Sequence, residues 1–249
     1  MKQPKLRQWL AEKPFTLALS SSFFGFYAHC GVAAALYEAG LVPAKVTGAS
    51  AGALVAGALA SGLAPERMAE ICFALEREDF WDPGLGLGYL RGKKFASILE
   101  EHFVPNFRET VIPLEVAVFD ILRARTAFLS EGPLIQAVVA SCAVPVLFHP
   151  VRIGRRLYLD GGLFEKPGFR APAEERVLCA FLESRGVAGA YEMRSTATRF
   201  AGEHKALRFQ NLPSVRPHAL STGQKAFDSA YSRTRAALSG SSRGPWLEA

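Results

Sequence analysis

Ser50 sits in Gly48-Ala49-Ser50-Ala51-Gly52, a G-x-S-x-G pattern, and the chemistry this pattern serves is nucleophilic attack on an acyl group. A serine on a sharp strand-to-helix turn has a strained backbone and a hydroxyl pushed outward. Only small neighbours let the strand and the new helix pass so closely, and Gly48 and Gly52 are those neighbours here. A serine hydroxyl is a weak nucleophile on its own, so a second group must take its proton.

Five histidines could do so in the manner of a Ser-His-Asp triad. His29 precedes the serine in an apolar helix start and reads as a packing residue. His102 follows Glu101 at a helix end, and His204 adjoins Lys205; both settings are solvated. His218 follows a proline with no acid beside it. His149, in Phe148-His149-Pro150, is the best of the set, yet nothing around it marks a base. Among the carboxylates, Asp160 in Leu159-Asp160-Gly161-Gly162-Leu163 closes an apolar strand. Its two glycines permit a turn that brings the carboxylate against another group. Asp-Gly is also an ordinary turn, so the residues alone leave the base open.

The elements around these residues alternate between strand and helix. A strand at 45–47 feeds the elbow, and a helix of small apolar residues follows at 51–60. Upstream, 15–19 reads as a strand and 31–39 as a helix ended by Gly40. Downstream, Pro65 opens a helix to 75, and 114–119 is a strong strand with a hairpin partner at 126–129. A helix from about 130 to 142 precedes a hairpin around Gly154-Arg155-Arg156 that ends at Asp160. Residues 177–181 fit a short strand or a buried helix equally well. This alternation predicts a three-layer α/β domain with a mostly parallel central sheet flanked by helices. From 183 the chain turns polar and irregular until an amphipathic helix at 221–238. The tail from about 240 reads as mobile.

The 249 residues are 49% hydrophobic and 21% charged, ample for one core. Cys30, Cys72, Cys142 and Cys179 stand far apart, so they imply neither a zinc site nor a disulfide framework, but buried thiols in a cytoplasmic protein. The basic N-terminal stretch is broken by Glu12 and Pro14, and the longest apolar run, 23–37, contains Gly25, His29 and Gly31. Neither a cleavable signal nor a membrane span is expected. The net charge of +6 comes from scattered residues, which argues against nucleic acid as a partner.

Four blocks taken together resemble the patatin-like phospholipase family, in its bacterial branch. They are Ser20-Ser21-Ser22-Phe23-Phe24-Gly25, the block around Ser50, the stretch ASCAVPVLFHPV at 140–151, and Asp160-Gly161-Gly162. The resemblance implies a catalytic domain over 15–173, with 174–249 as a C-terminal extension packed on it. It implies a Ser-Asp dyad in which Ser50 attacks an acyl ester and Asp160 accepts its proton, with no histidine, metal or cofactor. It further implies an oxyanion hole from the backbone N–H groups of Ser21, Ser22 and Phe23, with Ala51 at the helix start as a further donor. The substrate implied is a lipid or other acyl ester, with a soluble esterase or thioesterase, or a non-catalytic lipid-binding protein, as the alternatives.

The chain departs from that family in the first block. Ser20 and Ser22 stand where glycines are usual, Gly25 alone remains, and Phe24 replaces a basic residue. Serines make close approach of an ester harder, so the loop either keeps its geometry with added hydroxyl donors or holds the oxyanion less well. Phe23, Phe24, Phe26 and Tyr27 could line an acyl groove or belong to the core. Residues 79–92, DFWDPGLGLGYLRG, cannot form a stable helix and put Trp81, Leu85 and Leu87 on a loop. Such a loop could touch an anionic membrane, with Arg91, Lys93 and Lys94 close by, or pack against the body.

Overall fold

A computed structural model describes residues 5–184, Glu192 and 196–249. Helix α1 (Leu6–Glu12) buries Leu6, Trp9 and Leu10 and leads into β1 (Thr16–Leu19), buried along its whole length. Burial on both faces is what a parallel strand between two layers requires. The chain crosses over in α2 (Phe26–Glu38) and returns as β2 (Lys45–Ala49), parallel to β1. One residue later α3 (Ala51–Ala60) begins, with small side chains that let it lie close against the sheet. α4 (Pro65–Ala74) starts on its proline, and α5 (Arg77–Phe80) is a single turn. The rest of the 79–92 segment is non-helical and ends in β3 (Gly88–Leu90), ahead of α6 (Lys93–His102).

β4 (Leu114–Asp120) and β5 (Arg125–Leu129) form the expected hairpin. After α7 (Leu134–Ser141), β6 (Val146–Phe148) pairs in parallel with β3 in a small separate sheet. β7 (Val151–Ile153) and β8 (Arg156–Asp160) make the second hairpin. The ambiguous run near 177 is a strand, β9 (Val177–Leu182), and all six of its residues are buried because β1 lies on one side of it and β10 (His204–Phe209) on the other. Helix α8 (Gly223–Ser239) packs on α2, and β11 (Trp246–Glu248) adds a parallel edge strand to β10.

The main sheet runs β11-β10-β9-β1-β2-β4-β8-β7, with β5 also on β4. Alternation along the strands sends side chains to two cores. Leu17, Leu19, Val46, Val116 and Val118 meet α2, α3 and α7 on one face, while Ala18, Val177, Cys179 and Phe181 meet Phe169 and Phe200 on the other. This is a mixed α/β fold with a largely parallel central sheet flanked by helices. Among the described residues, no helix is long and apolar enough to cross a membrane.

One feature of the sheet positions the site. β2 pairs with β4 as far as Ala49 opposite Ala117, and then the chain turns off into α3. From Val118 onward β8 takes over the vacated edge in the opposite direction, with Asp160 facing Val118. The end of β2 and the end of β8 therefore meet.

Candidate active site

Ser50 has φ 53° and ψ −122°, a backbone conformation that a non-glycine residue holds only when its surroundings impose it. The imposing contacts are close. A Cβ on Gly52 would lie 2.0 Å from the Leu19 carbonyl oxygen, and one on Gly48 would lie 2.4 Å from the Gly52 carbonyl carbon. Both positions of the pattern thus accept glycine alone. The Ser50 N–H donates to Ser141 Oγ at 2.8 Å, and the Ser141 hydroxyl donates to the Ala117 carbonyl at 2.6 Å. Ser141 sits at the end of α7 and is fully buried, so it ties the turn to β4. The Ser50 carbonyl accepts from the Leu54 N–H at 3.1 Å, the first turn of α3.

Asp160 is held from several sides. Its N–H donates to the Ala143 carbonyl at 3.0 Å, and its Oδ1 accepts from the Gly162 N–H at 2.7 Å. Gly161 lies against β4 so closely that a Cβ there would come within 2.0 Å of the Ala117 oxygen. Oδ2 is buried and has no hydrogen-bond partner. Burial pushes the carboxyl up to about 6, and the Ser50 hydroxyl and the Gly162 N–H offset part of that rise by favouring the charged form. The Ser50 hydroxyl thus faces the carboxylate without closing a full hydrogen bond on it. Such a carboxylate is ionised at neutral pH and has one free oxygen, the two requirements for accepting a proton.

The loop between β1 and α2 keeps its shape through its serines. Ser20 is fully buried; its N–H donates to the Ala180 carbonyl at 3.2 Å, and its Oγ accepts from the Leu182 N–H at 2.9 Å. Neither Ser20 nor Ser22 takes a positive φ, so neither position needs glycine. The left-handed residue of this loop is Phe24, at φ 53°. Gly25 closes the turn by donating to the Ser22 carbonyl at 3.1 Å and precedes the first residue of α2. One expected oxyanion donor has to be corrected. The Ser21 N–H donates to the Lys166 carbonyl at 2.8 Å and is therefore occupied. The N–H groups of Ser22 and Phe23 have no partner among the described residues.

No histidine hydrogen-bonds to Ser50 or Asp160 among the described residues. His29 is buried beneath the loop, where its Nε2–H donates to the Ser20 carbonyl at 2.7 Å. Burial pushes it down to about 4, so it is neutral and supports the loop. His149 faces the Gly84 carbonyl at 3.4 Å, and His204 lies between the Arg199 and Pro172 carbonyls.

An apolar cavity of about 160 Å³ opens at Ser50, Ser22 and Phe23. Leu54 of α3, Ile71 of α4 and Phe95 of α6 are among its walls. Phe24, Phe26 and Tyr27 also line it, so the aromatic run serves cavity and core together. An apolar space of this kind takes hydrocarbon and excludes charge. Sequence reading passed over Ser141 and His29 as functional supports. A serine ending the apolar helix LIQAVVAS was the one available signal for the first, and nothing marked the second.

Residues 17–173 match the family model of the patatin-like phospholipases, more than half of the chain. Among curated relatives, an uncharacterized NTE family protein of Mycobacterium bovis and two of Mycobacterium tuberculosis are each 32% identical over 154 residues, 60% of this chain. The chain spans 42% of the length of those relatives along the matched region. Among solved structures, VipD from Legionella pneumophila superposes with a TM-score of 0.65 at 15% identity, covering 90% of this chain and 66% of that one. That likeness is one of fold.

Proposed function

The chain belongs to the patatin-like phospholipase family, and from that premise we propose that it is a lipid acyl hydrolase working through Ser50 and Asp160. Ser50 Oγ attacks the carbonyl carbon of an acyl ester while Asp160 Oδ2 takes the hydroxyl proton. The tetrahedral oxyanion is held by the N–H groups of Ser22 and Phe23 and by that of Ala51 at the start of α3. Collapse breaks the ester C–O bond, and the leaving alkoxide regains the proton from Asp160. Water then attacks the acyl-enzyme, giving its proton to Asp160, and the free acid departs as Ser50 is reprotonated. The observation that carries this reading is the strained Ser50 beside a buried carboxylate with one unpartnered oxygen.

The apolar cavity beginning at Ser50 favours a hydrocarbon acyl chain over a small acyl group. Exposed apolar side chains fit a substrate presented by a lipid surface. Phe23 lines the cavity and is exposed, and Leu85, Leu87, Tyr89 and Val146 are exposed on the segments that carry the lining residues Trp81, Leu90, Val144 and Leu147.

A fluorophosphonate probe tests the assignment. Mass spectrometry should find the adduct on Ser50, and Ser50→Ala should remain unlabelled. Labelling of another serine, or none in an ester-hydrolysing preparation, sinks it. A chain-length series of esters, with rates rising toward longer chains, separates the lipid hydrolase from a small-ester esterase.

A further inference from the structure

The β4–β5 turn and the β7–β8 hairpin come together at one end of the sheet. Asp120 ends β4 opposite both Arg125 of β5 and Tyr158 of β8, and the Ile121 N–H donates to the Leu157 carbonyl at 3.0 Å. The two turns read Leu122-Arg123-Ala124-Arg125 and Arg152-Ile153-Gly154-Arg155-Arg156. Arg123, Arg125, Arg152 and Arg155 are exposed, and among the described residues none of the four pairs with a carboxylate. Asp120, at the end of β4, is fully buried and already engaged: Arg156 pairs with it at 3.1 Å and the Arg123 N–H donates to it at 3.2 Å. The tip is thus a concentrated positive patch in a chain whose other charges are mixed.

Two features say what it meets. All the free cations are arginines, whose planar guanidinium grips phosphate oxygens two at a time. Exposed apolar side chains stand beside them, Leu122 in the first turn and Phe164, which rests on Phe119 at 4.9 Å. Cations interleaved with bare apolar groups suit the head-group region of a bilayer, where both are accommodated. The patch also adjoins the candidate site, because Asp160 faces Val118, two strand positions before Asp120. We infer that this arginine tip docks the chain onto anionic lipid head groups and so brings the cavity mouth to the bilayer. The inference rests on the reading of the chain as a lipid acyl hydrolase.

The test uses the Ser50→Ala chain, which leaves the vesicles intact, in co-sedimentation with phosphatidylcholine vesicles with and without phosphatidylglycerol. Binding should require phosphatidylglycerol and weaken as salt is added. Replacing Arg123, Arg125, Arg152 and Arg155 together by Gln should weaken it about fivefold per charge, hence by more than roughly a hundredfold. Replacing the equally exposed Arg7, Lys225, Arg235 and Arg243 by Gln removes the same charge elsewhere and should change binding far less. With Ser50 restored, the first quadruple variant should hydrolyse a soluble short-chain ester at the parent rate, which also reports its fold. Equal binding by the parent and that variant, or equal loss in both quadruple variants, overturns the inference. A parent chain that docks as described but hydrolyses no ester overturns the catalytic reading instead and leaves the docking face standing.

Discussion

Asp160 faces Val118 of β4, the residue next to the Ala117 that faces Ala49, and so fills the place beside β4 from which Ser50 turns away. A parallel strand leaves the sheet and an antiparallel one enters at the same spot. The candidate nucleophile and base are therefore set by strand register, a far stiffer device than a pair of loops. The arrangement also explains why both flanking motifs need glycine. Gly52 must pass the end of β1 and Gly161 must pass β4, each at backbone contact distance.

If Ser50 and Asp160 act as one unit, removing either should cost nearly everything. Ser50→Ala and Asp160→Asn should each bring ester hydrolysis to background, with no additivity in the double variant. His149→Ala, by contrast, should keep most activity, since its ring faces the Gly84 carbonyl and not Ser50. A folded His149→Ala protein as inactive as Ser50→Ala would restore a triad. His29→Ala belongs to a different class: it takes the support from beneath Ser20, and its losses should appear in stability as well as rate.

The Asp160 carboxyl links activity, stability and pH. As a base it must be ionised, so kcat/KM should rise with pH through about 6 and then level. Its folded value lies above the ordinary 3.8, so the folded state holds the proton more tightly than the unfolded chain does. Stability from this group is therefore lost as pH rises from 3.8 toward about 6, a cost of about 3 kcal/mol above that range. Asp160→Asn removes the buried charge while its side-chain oxygen can still accept from Gly162. It should be inactive yet more stable than the parent above pH 6, the gain shrinking as pH falls from about 6 and gone below 3.8. His29 acts oppositely, costing stability as pH falls from 6.5 toward about 4, but it is common to both proteins and cancels in the comparison. Denaturant titrations of the two proteins across this range measure the difference directly. A parent that is the more stable of the two at neutral pH would mean the carboxylate has a partner after all.

How much of this could be read beforehand depended on how local each cause is. The elbow was legible because its requirement, small residues on both sides of one serine, is written within five positions. The β4–β5 hairpin was legible for the same reason. Asp160 was not: its placement depends on pairing with β4, some 40 residues earlier, and only the family resemblance singled it out. The occupied Ser21 N–H has its partner at Lys166, far along the chain, and no local pattern announces that bond. The loop serines looked costly on the assumption that glycine was needed at their positions. The positive φ falls at Phe24 instead, and the Ser20 hydroxyl gains a bond to β9. β10 and β11 were missed because their short, mixed stretches bury side chains only through their neighbours in the sheet.

Ser141 tests whether the strained elbow must be held from behind. Ser141→Ala would take from the buried Ser50 N–H its acceptor, at about 1–3 kcal/mol for such a group. Stability should fall by that order. If the tie also positions Ser50, kcat should fall while KM changes little, and Ser141→Thr, which keeps the hydroxyl, should recover part of the rate. A Ser141→Ala protein that loses stability but keeps kcat would assign the residue to the fold alone.

Leu85 and Leu87 separate apolar from charged attachment to a lipid surface. Leu85 is completely exposed and Leu87 is 80% exposed, on the loop that closes with β3. Trp81 of the same segment is half-buried, with Arg77 over its ring at 4.0 Å and Tyr89 at 5.6 Å. On the proposed reading the leucines, not the tryptophan, enter the lipid surface, and Trp81 on the same segment reports it. Burying one leucine side chain yields about 1.5–3 kcal/mol, so Leu85→Ser with Leu87→Ser should weaken vesicle binding by roughly a hundredfold or more. On vesicles containing phosphatidylglycerol the fold-loss should be the same at low and high salt, whereas the loss caused by removing the arginines shrinks as salt is added. Folding stability and hydrolysis of a soluble ester should hold, because neither leucine supports the core. With Trp9 and Trp246 replaced by Phe, the emission of Trp81 should shift to the blue when vesicles are added, and the double serine variant should abolish the shift. An unchanged spectrum together with undiminished binding by the double variant would show that the loop stays in water and that the chain meets its lipid elsewhere.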